Sequence, residues 1–360
     1  MSAIRIALFI HDRQNDYQIL LQSDCEQTAR RLDLHTSVAS AEKSAENQLR
    51  QIRAALNEAE PNRPRAIIVS PVSEMVLLPV IHDAAKLGIG WVFLSRWNNA
   101  IHDLRRQYPK VPILAVLPDH FEVGRIQGQQ LRLLINPGDE LVFIQGPIGV
   151  YSTKRRRAGL ERELADRLDI RRSFVNGDWS LEGGESAMAS WLSTFSGTQL
   201  PPFIIAAQND SMAVGARRAV MRWLALKGRP PVGELRVLGC DGSVQYGQHL
   251  LSTGELRATV VIPPVSGRAV EEIAAALRYG RMPAAETTVA VHSLPDLAKL
   301  AALNKRQSAP PSHRSARPQP QSLPPSHRSA PAQPPSTPPS DRSEPQPQSL
   351  PPTFRALPRR

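Results

Sequence analysis

The sequence predicts an α/β protein of two doubly wound parallel-sheet lobes, followed by a proline-rich C-terminal tail. Three observations carry that expectation. Short apolar runs rich in β-branched residues alternate with amphipathic stretches of helical period, as parallel strands covered by helices do. The alternation occurs as two series, the second beginning after the segment that follows Pro118-Asp119. From Lys305 the composition changes abruptly to proline, serine, glutamine and arginine.

The first series opens with Ile4, Ile6, Leu8 and Ile10, alternating with residues that are also mostly apolar, as in a strand covered on both faces. Gln18 to Leu32 reads as an amphipathic helix and Leu34 to Val38 as a second strand. Glu46 to Ala59 is helical, with Leu49, Ile52 and Leu56 on one face. Arg65 to Pro71 forms a third strand, Leu78 to Leu87 a helix, and Trp91 to Leu94 a fourth strand. A polar link leads to Ile113-Leu114-Ala115-Val116, and a helix follows Pro118-Asp119 through Leu134.

The second series begins with Glu140 to Ile144, which ends at Gln145-Gly146-Pro147. A helix from Thr153 to Leu168 carries Lys154-Arg155-Arg156-Arg157, and Arg171 to Val175 and Glu182 to Phe195 supply a strand and a helix. Phe203 to Ala207 is of buried-strand type and stops at Gln208-Asn209-Asp210-Ser211. From Met212 the apolar spacing turns helical, with Asp210 or Ser211 as the expected cap. Asn209 thus stands at the carboxyl end of a strand, the edge at which open α/β sheets bind ligands. Arg236 to Gly242 and Thr259 to Ile262 are further strands, and a helix runs from Val265 to Leu277.

A hydrophobic fraction of 41% and a mean hydropathy of −0.29 predict a water-soluble chain, and no stretch approaches the roughly 20 apolar residues that span a bilayer. Cys25 and Cys240 lie in different elements and read as small buried hydrophobes rather than a disulfide or metal framework. The net charge of +11 resides mainly in the tail, where nine Lys and Arg from Lys305 onward face Asp341 and Glu344; the remainder carries +4. That distribution argues against a nucleic-acid-binding body. Within residues 304–360, Pro-Pro-Ser-His-Arg-Ser-Ala occurs at 310 and 324, and Pro-Gln-Pro-Gln-Ser-Leu-Pro-Pro at 318 and 345. Such a segment is expected to be disordered. It has no defined partner, or serves as a proline-recognition ligand or a tether to an anionic surface.

Several motifs together resemble the type I periplasmic sugar-binding proteins, the ribose-binding type above all, over residues 4 to 291. RIALFIHDRQNDY is similar to that family's first strand and following turn, with Asn15 on the Asn and Tyr17 on the aromatic place, while Asp16 replaces Pro. GWVFLSRW is similar to its fourth strand, with Arg96 on the Arg and Ser95 replacing Asp. GPIGVYSTKRRRAGL places Arg156 on the ligand arginine, NGDWS places Trp179 where an aromatic ring stacks on the sugar, AAQNDSMAVGA places Asn209 in the site, and LGCDG supplies Asp241. In ATVVIPP, Ile262 stands where sugar binders often carry Gln.

The resemblance implies a ligand site of Asn15, Tyr17, Ser95, Arg96, Arg156, Trp179, Asn209, Asp241 and Ile262, without catalytic or metal-binding residues and without a cofactor. It implies lobes of residues 1–117 with 263–287 and of 118–262 with 288–303, hinged near Val116-Leu117, Ile262 and Thr287-Val289. These residue types suit a polyhydroxylated ligand: the carboxylate accepts hydroxyl protons, the arginines donate, and flat rings cover C–H faces. Read singly, Arg156 belongs to a solvated basic run, Trp179 to ordinary packing and Asp241 to its turn. The replacements at Ser95 and Ile262 leave a more cationic and more apolar end, which widens the ligand class to deoxy, methylated or acidic sugar derivatives and other polar solutes.

The implied function is closure of two lobes over a small polar solute for delivery to the membrane permease of an ABC importer, by a protein expected to be a monomer. A cytoplasmic sensor built like the effector domain of LacI-type repressors is the alternative, but a helix-turn-helix is not expected, because the sequence as written leaves no room for one before Ile4. Nucleic acid is therefore not an expected partner. No Walker loop, GxSxG, HExxH or Cys/His metal spacing suggests an enzyme, and His11-Asp12 and His120 read as surface or turn residues. The family's place is the periplasm, whereas the chain as written has no visible signal peptide and is expected to stay cytoplasmic.

Overall fold

The computed structural model describes residues 4–73, 75–94, 100–195, 200–229 and 235–308. Ser95, Arg96 and the proline-rich tail fall outside those residues.

The first sheet is built from β1 (Arg5–Ile10), β2 (His35–Ser40), β3 (Ala66–Val69), β4 (Gly90–Phe93), β5 (Ile113–Pro118) and β11 (Glu286–Val289), in the order β11-β5-β4-β3-β1-β2. All its pairings are parallel. Strand period separates two layers: Ile6, Leu8 and Ile10 pack on α1 (Asp16–Arg31) and α10 (Ser266–Tyr279). Ala7 and Phe9 face α2 (Ala45–Leu56), α3 (Leu78–Lys86) and α4 (Ala100–Gln107).

The second sheet repeats the plan with β6 (Glu140–Gln145), β7 (Arg171–Asn176), β8 (Phe203–Ala207), β9 (Val237–Asp241), β10 (Ala258–Val261) and β12 (His292–Leu294). Its order is β12-β10-β9-β8-β6-β7, and only the edge strand β12 runs antiparallel. Leu141 and Phe143 pack with α5 (His120–Leu134), α6 (Tyr151–Glu163) and α11 (Leu297–Ser308), while Val142 and Ile144 pack with α7 (Leu181–Leu192) and α8 (Asp210–Leu226). The chain crosses between the two sheets three times, after β5, after β10 and between β11 and β12.

Three local expectations are corrected. The polar link before β5 contains the helix α4, just eight residues long, with Ile101 and Leu104 turned into the core. The chain also forms the short α9 (Gly247–Ser252), β12 and α11, none of which the sequence pattern predicts. Finally, α8 is capped by Asn209, not by Asp210 or Ser211. Asn209 is extended (φ −150°, ψ 166°) and its side-chain oxygen accepts from Met212 N at 3.0 Å, so the helix begins a residue early.

Glycines let two helix pairs approach until their backbones touch. On α5 and α6, a Cβ at Gly124 would stand 1.8 Å from the Arg156 carbonyl oxygen, and one at Gly159 2.0 Å from that of Phe121. On α7 and α8, Gly184 and Gly215 meet Met212 and Leu181 at 2.3 and 2.0 Å in the same way. Gly159→Ala should therefore cost about 3 kcal/mol or more of stability by overpacking. Gly138→Ala, at φ +84° in open space, should cost only about 1–2 kcal/mol of left-handed strain. Urea denaturation of the full chain with both variants checks the ranking.

Candidate functional site

The β1–α1 corner of the first lobe meets the carboxyl edge of the second sheet. Asn15 caps α1, its side-chain oxygen accepting from Gln18 N at 3.2 Å, and so aims the next two residues at the other lobe. Asp16 accepts a hydrogen bond from Ser211 Oγ at 3.1 Å, and the Tyr17 hydroxyl donates to the Pro263 carbonyl at 3.2 Å. The Tyr17 ring packs on the apolar cluster of Val123, Ile126, Cys240, Val260 and Ile262. Burial, then the Asp241 carboxylate, pushes the Tyr17 hydroxyl pKa upward. Ile262 is only 2% exposed, its side chain engaged in that packing.

Helix period separates the basic run on α6. Lys154 is exposed, Arg155 lies over the Phe121 ring at 4.9 Å and Arg157 over Phe174 at 4.0 Å, whereas Arg156 is 6% exposed and points inward. Its guanidinium donates to the Gln208 carbonyl, stands 3.9 Å from an Asp241 carboxylate oxygen, and lies 5.5 Å above the Trp179 ring. Gln208 ties this region together: its side chain donates to Thr153 O at 3.0 Å and accepts from Gly146 N at 3.0 Å. The Trp179 ring lies against Gly146, where a Cβ would come within 2.1 Å of it. The Trp179 carbonyl accepts from Asn209 Nδ2 at 2.8 Å, so both ends of the Asn209 amide are held by the protein.

Trp179 and Asp241 are non-glycine residues in the left-handed region, at φ 73° and 100°. Such backbone persists only where surrounding contacts impose it and tends to gather at ligand sites. Beneath them Asp210 is fully buried, accepting from Gly242 N and Thr259 Oγ1, each at 2.8 Å. Burial, with Asp241 nearby, holds its carboxyl well above the usual range.

The structure therefore gathers Tyr17, Arg156, Trp179, Asn209 and Asp241 at one junction, with Asn15 orienting the first lobe's contribution. Ser95 and Arg96 are outside the described residues. Asp12 lies in the turn after β1 as expected, 3% exposed, accepting from Gln14 N at 2.8 Å and paired with Lys43, whereas His120 opens a helix and is part-buried, its ring 6.1 Å from that of Tyr151. Asp16, Gln208 and Asp210 lie within the same motifs and reach the same junction, which spacing alone does not reveal because it does not fix which way a side chain turns.

Two α/β lobes meeting over a polar, aromatic-lined junction define a ligand-binding protein of the hinged two-lobe class. The family model described as periplasmic binding protein domain matches residues 6–281, and the chain belongs to that family. It is 25% identical over 260 residues to a D-ribose/D-allose-binding protein of Pseudomonas aeruginosa, covering 71% of this chain and 76% of that protein. It is 28% identical over 223 residues to a xylitol-binding protein of Mycolicibacterium smegmatis, covering 61% and 56%. In fold it is similar to an ABC transporter periplasmic solute binding protein of Actinobacillus succinogenes crystallised with D-allose, with a TM-score of 0.69, 22% identity and coverage of 83% and 99%.

Burial, and Asp16 after it, raises the Asp241 carboxyl from 3.8 to about 7 even though Arg156 favours its ionised form. Between those values the folded chain retains a proton that the unfolded chain has released, so this group makes stability fall as pH rises through that window. Asp241→Asn cannot ionise and should flatten that part of the profile. Thermal unfolding of both unliganded chains from about pH 4 to 8 checks it; parallel profiles would remove Asp241 as the source.

Proposed function

We propose that the protein is a solute-binding protein whose lobes, residues 1–117 with 263–287 and 118–262 with 288–303, close over a neutral polyhydroxylated solute, a sugar or polyol, for delivery to an ABC permease. Its role is binding rather than catalysis, and it works as a monomer. The observation that carries this reading is the convergence of a paired Arg156 and Asp241, the Trp179 ring and Asn209 on the lobe junction that Tyr17 enters from the other side. Family membership and relatives named for ribose, allose and xylitol support the same ligand class. The described part of the site sets one buried arginine against Asp241, with Asp16 close by, which favours an uncharged ligand over an acidic one. Asn15, Ser95, Arg96 and Ile262 complete the proposed site, the first and last by positioning and packing.

A thermal-shift screen of the full chain against D-ribose, D-allose, xylitol, myo-inositol and sugar acids tests it. A ligand at 100-fold excess over its dissociation constant adds about 2.7 kcal/mol to stability. Arg156→Ala and Asp241→Ala should each weaken binding about 10- to 100-fold, because each leaves a buried charged partner unmet. Ligand hydroxyls that donate to Asp241 favour its ionised form, so affinity should rise as pH increases through about 7. A folded chain that shifts with no member of the panel would overturn the reading.

A further inference from the structure

His120 opens α5 directly after β5, where the chain first crosses between the sheets. Its Nδ1 faces Arg156 Nε at 3.5 Å, and its ring meets Tyr151 edge-on at 6.1 Å. A guanidinium has only N–H donors, so Nδ1 must present its lone pair, and the ring proton resides on Nε2. Nε2 makes no hydrogen bond among the described residues. The same guanidinium reaches Asp241 and Trp179, so His120 joins the group of side chains that Arg156 links.

We propose that His120 is a further ligand-recognition residue of this site, a neutral imidazole held by Arg156 in one tautomer so that Nε2–H donates to an oxygen of the solute. The inference rests on the solute-binding reading above. It makes the Arg156–His120 side of the site a donor side facing the acceptor Asp241, and so predicts a solute bound by oxygens accepting on one edge and hydroxyls donating on the other. The charged groups around the ring are Arg156 and Arg155 on α6 and Asp119 just before α5; Asp119 is exposed and accepts from Phe121 N and Glu122 N, each at 3.0 Å. Burial and the two arginines oppose a charge on the imidazole, so His120 stays neutral well below the usual histidine range. Protonation would put a second cation against Arg156 and remove the Nδ1 acceptor, and binding should then fail at acid pH.

The test uses the full chain labelled with ¹⁵N at histidine, with D-ribose, D-allose, xylitol and myo-inositol as probes. The ring-nitrogen spectrum should show the Nε2–H tautomer, and the tightest-bound probe should shift the Nε2–H signal. By calorimetry, His120→Leu should weaken that probe about tenfold or more, whereas His120→Gln, which retains an N–H near the Nε2 position, should stay within about threefold of the original chain. Equal unfolding temperatures of the two unliganded variants separate recognition from a structural role. An Nδ1–H tautomer, an unmoved Nε2–H signal, or unchanged affinity in His120→Leu overturns the assignment while leaving solute binding intact. Failure of every probe to bind the original chain overturns the solute-binding reading, and this inference with it. Should His120→Leu not fold, the tautomer and the probe-induced shift in the original chain decide the question.

Discussion

The crossing of α5 and α6 governs this site. Because Gly124 has no side chain, the backbone of α5 rests on the carbonyl of Arg156 itself, and the rotation of α6 is set by main-chain contact rather than adjustable packing. That rotation sends one arginine of a basic run inward and leaves its neighbours on aromatic faces or in solvent. A buried guanidinium must find acceptors, since an unpaired charge in the interior is costly. The Gln208 carbonyl and Asp241 supply them, and both lie at carboxyl ends of strands in the second sheet. Contact between two helices thus connects to the edge of a sheet through one side chain.

The acceptors are themselves finely placed. Asn209 closes the start of α8 with its oxygen and holds the Trp179 carbonyl with its nitrogen, which fixes the indole between Gly146 and Arg156. Asp241 and Trp179 keep left-handed backbones, a cost of order 1 kcal/mol each that the surrounding contacts offset. Asp210, below them, hydrogen-bonds the backbone after Asp241 and the side chain of Thr259, joining β9 to β10. With the Asp16 carboxylate reaching over from α1, burial and the neighbouring carboxylates hold Asp210 and Asp241 toward their protonated forms beside one buried arginine.

Among the described residues, one set of contacts between the lobes lies at the start of α1. Asp16 with Ser211, and Tyr17 with Pro263 and the apolar patch around Ile262, join the start of the first helix to the second lobe and to the crossing after β10. The three chain crossings permit rotation of the lobes about them, the usual hinge motion of proteins that enclose a ligand. A polar contact such as Asp16–Ser211 can be exchanged for water at little net cost, so this corner can hold the lobes together without locking them.

The architecture was legible in the sequence because both determinants are local and repeated. Two-sided apolar strands such as Ile4 to Ile10 and Phe203 to Ala207 cannot be solvated on either face, and the amphipathic segments between them must cover a sheet. The motifs also put Tyr17, Arg156, Trp179, Asn209 and Asp241 forward as candidates for one site, and the structure brings these side chains to one junction. Short elements escaped, α4 through its eight-residue length and β12 through its three-residue length. Tertiary structure alone decided that Arg156 turns inward from a run of four basic residues, that Asn209 rather than Asp210 caps α8, and that His120 stands beside Arg156. Each depends on distances between segments tens of residues apart, set by backbone contact and burial, which no spacing along the chain encodes.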